Sequence, residues 1–122
     1  HLVGDSVLKA TARLIAIELR SSDVVARFGG EEFVVVLPGQ IGDEALHVAE
    51  RIRQRFEQTR VAIPDGIKIA ISVSLGVTEY ELGERVEATL ARVNATLYKA
   101  KEQGRNRVEF SQSEKFTNKQ AS

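Results

Sequence analysis

The stretch RFGGEEF sets two adjacent glycines, Gly29 and Gly30, directly before two adjacent carboxylates, Glu31 and Glu32. Carboxylate oxygens side by side suit a divalent cation bridged to phosphates, and glycines without a Cβ let a flat ligand or a phosphate approach the backbone closely. Neighbouring side chains on a regular strand point to opposite faces. Both glutamates therefore serve one site only if the turn twists them or the site lies above the tip. Taken by itself, the same stretch also fits a solvated hairpin whose glycines satisfy turn geometry. Asp5 lies in the first turn of a helical pattern, where the dipole favours an acid. Arg20 and Asp23 form an RxxD pair, and Lys101 and Arg105 stand four apart near a helix end. His47 shares the outer side of its helix with Arg51 and reads as an ordinary surface histidine rather than a metal ligand.

These residues need elements to position them. Val24 to Phe28 and Phe33 to Leu37 are apolar or β-branched nearly throughout, which predicts two strands joined around Gly29 and Gly30, with the glutamates at the hairpin tip. Before them, Val3, Val7, Ala10, Leu14 and Ile17 recur at helical spacing, and the pattern is already under way at His1. A second helix is predicted from near Asp43 to Gln58, burying Ala45, Val48 or Ala49, Ile52 and Phe56. Pro64, Asp65 and Gly66 mark a turn, and Ile67 to Val77 alternates as one long strand near the middle of the sheet. A third helix runs from about Arg85 to Glu102 on Val86, Leu90, Val93, Leu97 and Ala100, and Gly104 ends it. Arg107 to Phe110 reads as a short edge strand, and residues 111–122 as a polar, disordered tail. The predicted fold is α+β, a mostly antiparallel sheet flanked by helices, and it lacks the strand before the first helix that would complete a ferredoxin-like arrangement.

The bulk numbers narrow the function. A chain of 122 residues with 43% hydrophobic content supports one domain. Lys plus Arg and Asp plus Glu are both 17, so no net charge draws the chain to DNA, RNA or anionic membrane. There is no cysteine for thiol chemistry, and no apolar run approaches the roughly 20 residues of a membrane-spanning helix.

Four stretches in order and spacing carry a resemblance. RFGGEEF resembles the signature of the GGDEF family of diguanylate cyclase domains, in the variant with Glu third. HLVGDSVLKATA resembles that family's GHxxGDxxLxxxA stretch without the leading glycine. SVSLGV resembles its SIGV strand, and NATLYKAKEQGRNRV its ADxALYxAKxxGRNxV helix end, with Asn94 where the family usually has Asp. The resemblance spans residues 1 to about 108.

The resemblance implies a ferredoxin-like, nucleotidyl-cyclase-like fold and the condensation of two GTP into cyclic di-GMP with release of two pyrophosphates. It implies that Glu31 ligates Mg²⁺ or Mn²⁺, and that Glu32 assists either in metal binding or in deprotonating the attacking 3′-hydroxyl. Gly29 and Gly30 would pass beneath the nucleotide, Asp5 would accept from the guanine N1 and N2 donors, and Lys101 and Arg105 would contact phosphates. Arg20 and Asp23, with Arg27 if it faces the same side, would form an inhibitory site for the product.

The family's first strand, with a metal-binding Asp and a guanine-contacting Asn, precedes the region that His1 begins, so the fold is expected to be N-terminally incomplete here and the fragment alone inactive. The implied partners are GTP, cyclic di-GMP, a second copy of the domain in a homodimer, and an upstream sensory or receiver domain. No nucleic acid and no membrane contact by this segment are implied. The implied location is cytoplasmic, either free or as the cytoplasmic part of a membrane-attached protein. The alternative is an inactive module that senses cyclic di-GMP or GTP, followed by a purely structural or dimerisation role. Class III nucleotidyl cyclases use a related sheet but match the hairpin and the GRN segment much less.

Overall fold

The computed structural model describes residues 2–113. Helix α1 spans Leu2–Ile17 and buries Ala10, Leu14 and Ile15. Ile17, which falls on the periodic stripe, is exposed because the helix ends there, with Glu18 and Leu19 closing it through bonds to the carbonyls of Ile15 and Ala16. Strands β1 (Val24–Arg27) and β2 (Phe33–Val36) pair antiparallel, with Val24 opposite Val36 and Arg27 opposite Phe33. Helix α2 (Gly42–Glu57) buries Ala45, Val48, Ala49, Ile52 and Phe56, the residues its period marks. Its Ncap residue, Ile41, offers no side-chain cap; the Glu79 carboxylate instead accepts the Gly42 N–H, placing an anion at the positive end of the helix.

Strands β3 (Arg60–Ala62) and β4 (Lys68–Ala70) form a second antiparallel pair around a single 3₁₀ turn at Pro64–Gly66. Strand β5 (Leu75–Thr78) pairs parallel with β6 (Val108–Ser111), and helix α3 (Val86–Glu102) crosses between them. A parallel neighbour requires such a crossover. Helix α3 lies against β5 at unusual proximity: a Cβ at Gly76 would stand 2.5 Å from the Leu97 backbone nitrogen and 2.9 Å from the Val93 carbonyl oxygen. Only glycine permits this approach.

The core gathers Leu14, Ile15, Val48, Ile52 and Phe56, and the hairpin residues Val25, Phe33, Val35 and Leu37 pack on it together with Ile71, Val73 and Leu75. Burying a side chain such as Phe56 contributes on the order of 1.5–3 kcal/mol. Glu18 fastens α1 to α2 by accepting from Arg51 and Arg55. Burial pushes the Glu18 carboxyl up, but the two guanidinium groups outweigh it and hold the group below the usual carboxylate range. A second polar cluster closes the loop before α3: Arg92 donates to Glu84, Thr78 and the Glu79 carbonyl. The hydrogen bonds from Arg92, the Glu81 backbone and Thr89 pull the Glu84 carboxyl down to about 2.

The α+β class and the predominance of antiparallel pairing agree with the sequence reading, but the expected single sheet is, among the described residues, three separate two-stranded sheets, so no strand lies mid-sheet, and three further details differ. The expected single strand over Ile67 to Val77 is two strands separated by residues 71–74. Inward packing of Ile71 and Val73 persists there, but a strand also needs a hydrogen-bonded neighbour, and among the described residues those four have none. Strand β3 was not anticipated, because three residues beside a proline turn carry little pattern. The chain also stays ordered past Phe110: Ser111 belongs to β6 and shares a hydroxyl contact with Thr96, and Ser113 is buried. The remainder of the expected tail, 114–122, lies outside the described residues.

Candidate active site

The hairpin tip is built by its two glycines. Gly29 and Gly30 both adopt positive φ, +79° and +50°, a region that costs other residues a steric penalty. The turn closes through Phe28 N–H to the Glu32 carbonyl at 2.7 Å and Glu32 N–H to the Gly29 carbonyl at 3.1 Å. Arg27 Nε donates to the Gly30 carbonyl at 2.7 Å and braces the tip. Glu31 and Glu32 are exposed, and their side chains have no partner among the described residues.

Glu32 shares a cleft of about 190 Å³ with Asn94, Leu97, Tyr98 and Lys101 of α3. Those four positions follow the i, i+3, i+4, i+7 spacing of one helix face, so the seating of α3 on Gly76 sets how far they stand from the hairpin. Lys101 is in the last turn of α3, where the dipole favours a cation. The sequence reading had placed Glu32 and Lys101 in one site, and the structure brings them together. It missed Tyr98 altogether and took Asn94 only as a departure from a pattern; their helical spacing with Lys101 was the available signal.

Arg105 lies just beyond this cleft in sequence, in a run of three left-handed residues: Gly104, Arg105 (φ +60°) and Asn106 (φ +46°). Two consecutive non-glycine residues in that region are strained, and Asn106 holds them there. Its N–H donates to the Ser74 hydroxyl at 3.2 Å, its amide donates to Glu57 at 2.6 Å, and its Oδ1 accepts from Arg53 at 3.2 Å. Arg105 itself is exposed. Asp5 is exposed on the first turn of α1, and neither it nor Arg105 lines the cleft.

The Arg20–Asp23 pair is preformed at the other end of β1. Asp23 accepts from the Arg20 guanidinium at 3.1 Å and from the Arg20 N–H at 2.7 Å, and Arg20 also donates to the Pro38 carbonyl at 2.8 Å. These bonds hold the Asp23 carboxyl below its ordinary value. Asp23 is almost fully covered and Arg20 is half exposed. Arg27, bound to its own turn, does not join them. A larger, open cleft of about 340 Å³ is walled by Gln40, Asp43, Glu44, His47, Val48 and Arg51 and contains no hairpin residue. His47 is exposed there, its Nδ1 3.2 Å from the Asp43 carbonyl oxygen.

Two unengaged carboxylates fit a magnesium-type cation, which binds through one or two carboxylates and completes its shell with substrate phosphates and water. Among the described residues no group of three His, Cys, Asp or Glu side chains assembles into a metal site of its own. Glu31 and Glu32 therefore suit a cation that arrives with phosphate.

The hairpin and its helix are shared with known proteins. The family model described as "Diguanylate cyclase, GGDEF domain" matches residues 1–107. Diguanylate cyclase A of Treponema denticola is 40% identical over 112 residues, covering 91% of this chain and 30% of that protein. Diguanylate cyclase DosC of Escherichia coli K12 is 39% identical over 110 residues, covering 90% of this chain and 24% of that protein. The chain thus spans less than a third of the length of these relatives. The GGDEF domain of DgcB from Caulobacter crescentus, solved with c-di-GMP, superposes with a TM-score of 0.84 at 31% identity, over 90% of this chain and 66% of that one. The active GGEEF domain of a diguanylate cyclase from Vibrio cholerae gives 0.75 at 34% identity, over 93% and 72%. Family model, relatives and fold agree over the residues that build the glycine hairpin and the helix facing it, and the chain belongs to the GGDEF family of diguanylate cyclase domains.

Proposed function

We propose that this domain condenses two molecules of GTP into cyclic di-GMP. The observation that carries the reading is the cleft between the hairpin tip and α3, where an unengaged carboxylate, Glu32, faces an unengaged ammonium, Lys101. A triphosphate and its cation need both signs of charge.

Each GTP would present its 3′-oxygen to the α-phosphorus of the other. The new 3′-O–P bond forms as the bond to the bridging oxygen of pyrophosphate breaks, twice per product. Alignment of these oxygens across phosphorus is the main task of the protein. Two nucleotides facing each other require two domains, so the active form is a homodimer. Glu31 and Glu32 would hold Mg²⁺ or Mn²⁺, which neutralises phosphate charge when bound. In the alternative role, Glu32 would take the 3′-hydroxyl proton instead of sharing the cation. Lys101 and the exposed Arg105 would bind phosphate oxygens, Arg105 with two parallel hydrogen bonds. The glycine turn leaves room for the nucleotide over Gly29 and Gly30. Asp5 would accept the N1 and N2 hydrogens of guanine, a donor pair adenine lacks on that edge.

Arg20 and Asp23 would bind product. Arg20 offers a half-exposed guanidinium to a guanine edge or phosphate, and the covered Asp23 carboxylate, accepting from Arg20 on both oxygens, holds that guanidinium in place. This preformed pair also supports a second reading, a module that senses cyclic di-GMP without turnover. The reaction needs GTP, which points to the cytoplasm; no helix among the described residues is long and apolar enough to cross a membrane.

The test uses protein expressed from its natural translational start, incubated with GTP or ATP and Mg²⁺, with products separated and identified by mass. Cyclic di-GMP from GTP, with two pyrophosphates per product and nothing from ATP, supports the cyclase. Binding of cyclic di-GMP without any turnover of GTP leaves the sensing module.

A further inference from the structure

Among the described residues, one buried side-chain polar atom has no hydrogen-bond partner, the Oε1 of Gln40. Taking an acceptor out of water without giving it a donor is costly, and folded proteins leave few such groups. Gln40 forms one wall of the open cleft of about 340 Å³. Its amide has no structural task there. The N-terminus of α2 takes its acceptor from Glu79, and the turn before that helix closes through the Gln40 backbone N–H to the Leu37 carbonyl.

The same turn holds the Arg20 guanidinium, which donates to the Pro38 carbonyl two residues before Gln40. From the other side of the cleft, Arg51 donates to Glu18, two residues before Arg20. The cleft and the Arg20–Asp23 pair are therefore neighbours, held by one turn and one helix end. The volume of the cleft reaches the range of sites that enclose a small molecule, about 300–1,000 Å³. Its walls are rich in acceptors, with the carboxylates of Asp43 and Glu44 and the amide of Gln40 set against the guanidinium of Arg51. That balance suits the N–H donors on the edge of a guanine and leaves phosphate to Arg20.

Building on the reading of Arg20 and Asp23 as a product site, we propose that Gln40 is a product-contacting residue whose side chain turns outward so that Oε1 accepts an N–H from a guanine edge of cyclic di-GMP. The oxygen is shut off from solvent as the side chain stands, so it meets a donor only after rotation about the side-chain torsions. The rotation replaces an orphaned acceptor by a paired one, and product binding draws on that gain. A side chain of similar length without hydrogen-bonding groups loses the gain and removes the orphan as well.

The experiment measures cyclic di-GMP binding by calorimetry for the parent, Gln40→Met and Arg20→Ala, each expressed from the natural start and stripped of bound nucleotide, with urea unfolding of each beside it. Gln40→Met is expected to bind about fivefold more weakly, the scale of one hydrogen bond. Its urea midpoint should stay at or above that of the parent, because an orphaned acceptor has been removed. Parental or tighter binding by Gln40→Met overturns the proposal, and weakened binding by Arg20→Ala in the same series leaves the product site standing. A lowered urea midpoint in Gln40→Met also overturns it, because the amide then serves the fold. Parental affinity in Arg20→Ala, or a parent that binds no cyclic di-GMP, overturns the product site and this proposal with it.

Discussion

Replacing Gly76 by alanine tests the seating of the helix that carries half of the cleft. The added Cβ would lie 2.5 Å from Leu97 N, 2.9 Å from Leu97 Cα and 2.9 Å from the Val93 carbonyl oxygen, all backbone atoms that no rotamer change can move. Ordinary contact begins at 3.4 Å, so α3 must retreat from β5 by about an ångström or the strand must bend. Overpacking of this kind costs about 1–3 kcal/mol. The stiffer unfolded chain of the alanine variant offsets about 0.4–1 kcal/mol of that. The net expectation is a loss of about 1–2 kcal/mol in urea unfolding, with the slope of the transition unchanged. Asn94, Leu97, Tyr98 and Lys101 move with α3, and a displacement of about 1 Å at a reacting site can cost on the order of a hundredfold in rate. Cyclic di-GMP synthesis should therefore fall much further than stability accounts for, measured where the variant is still fully folded. A Gly76→Ala protein with parental stability and parental synthesis would refute both the tight seating and its role in positioning the cleft.

Two further outcomes follow from the polar clusters. Glu84, Glu18, Asp23 and Glu50 all titrate lower in the folded chain than their ordinary values, so their contribution to stability is complete above the ordinary carboxylate range and is lost as pH falls through the folded values. Urea midpoints should be flat just above pH 4.5 and decline progressively toward pH 2, where Glu84 titrates; Glu84→Gln should flatten the lowest part of that decline, and an unchanged profile would contradict the Arg92 cluster. Arg20→Ala removes the exposed guanidinium of the Arg20–Asp23 pair and is expected to weaken cyclic di-GMP binding at least tenfold by calorimetry, with parental affinity arguing against a product site there.

The parts of this molecule legible in the sequence are those fixed by local pattern. The glycine pair between two β-branched runs marked the hairpin tip and its glutamates, and the helical period of Ala45, Val48, Ile52 and Phe56 marked the buried face of α2. Pairing between distant segments left no such trace. The parallel ladder of β5 with β6 joins residues some thirty apart, and alternation over Ile67 to Val77 describes extended chain without saying where a neighbour runs. Arg105 and Asn106 escaped for a related reason. Their left-handed backbone is held by tertiary bonds from Asn106 to Ser74, Glu57 and Arg53, and although Gly104 and Asn106 are residue types that favour such a backbone, Arg105 between them carries no sign of it. Family resemblance implies roles for Asp5, Lys101, Arg20 and Asp23, and the structure sets these residues apart: Lys101 shares a cleft with Glu32, Arg20 and Asp23 pair away from it, and Arg27 braces the hairpin.

The central claim is that the hairpin carboxylates turn GTP over. Its most direct measurement compares the parent, expressed from its natural start and stripped of bound cyclic di-GMP, with Glu32→Ala in a GTP and Mg²⁺ incubation read by mass. The side chain of Glu32 is exposed and unpartnered, so the substitution should leave stability within about 0.5 kcal/mol. Cyclic di-GMP from the parent and none from the equally folded variant is the predicted result. A variant that makes product at the parental rate, or a dimeric parent that makes none, would contradict the account.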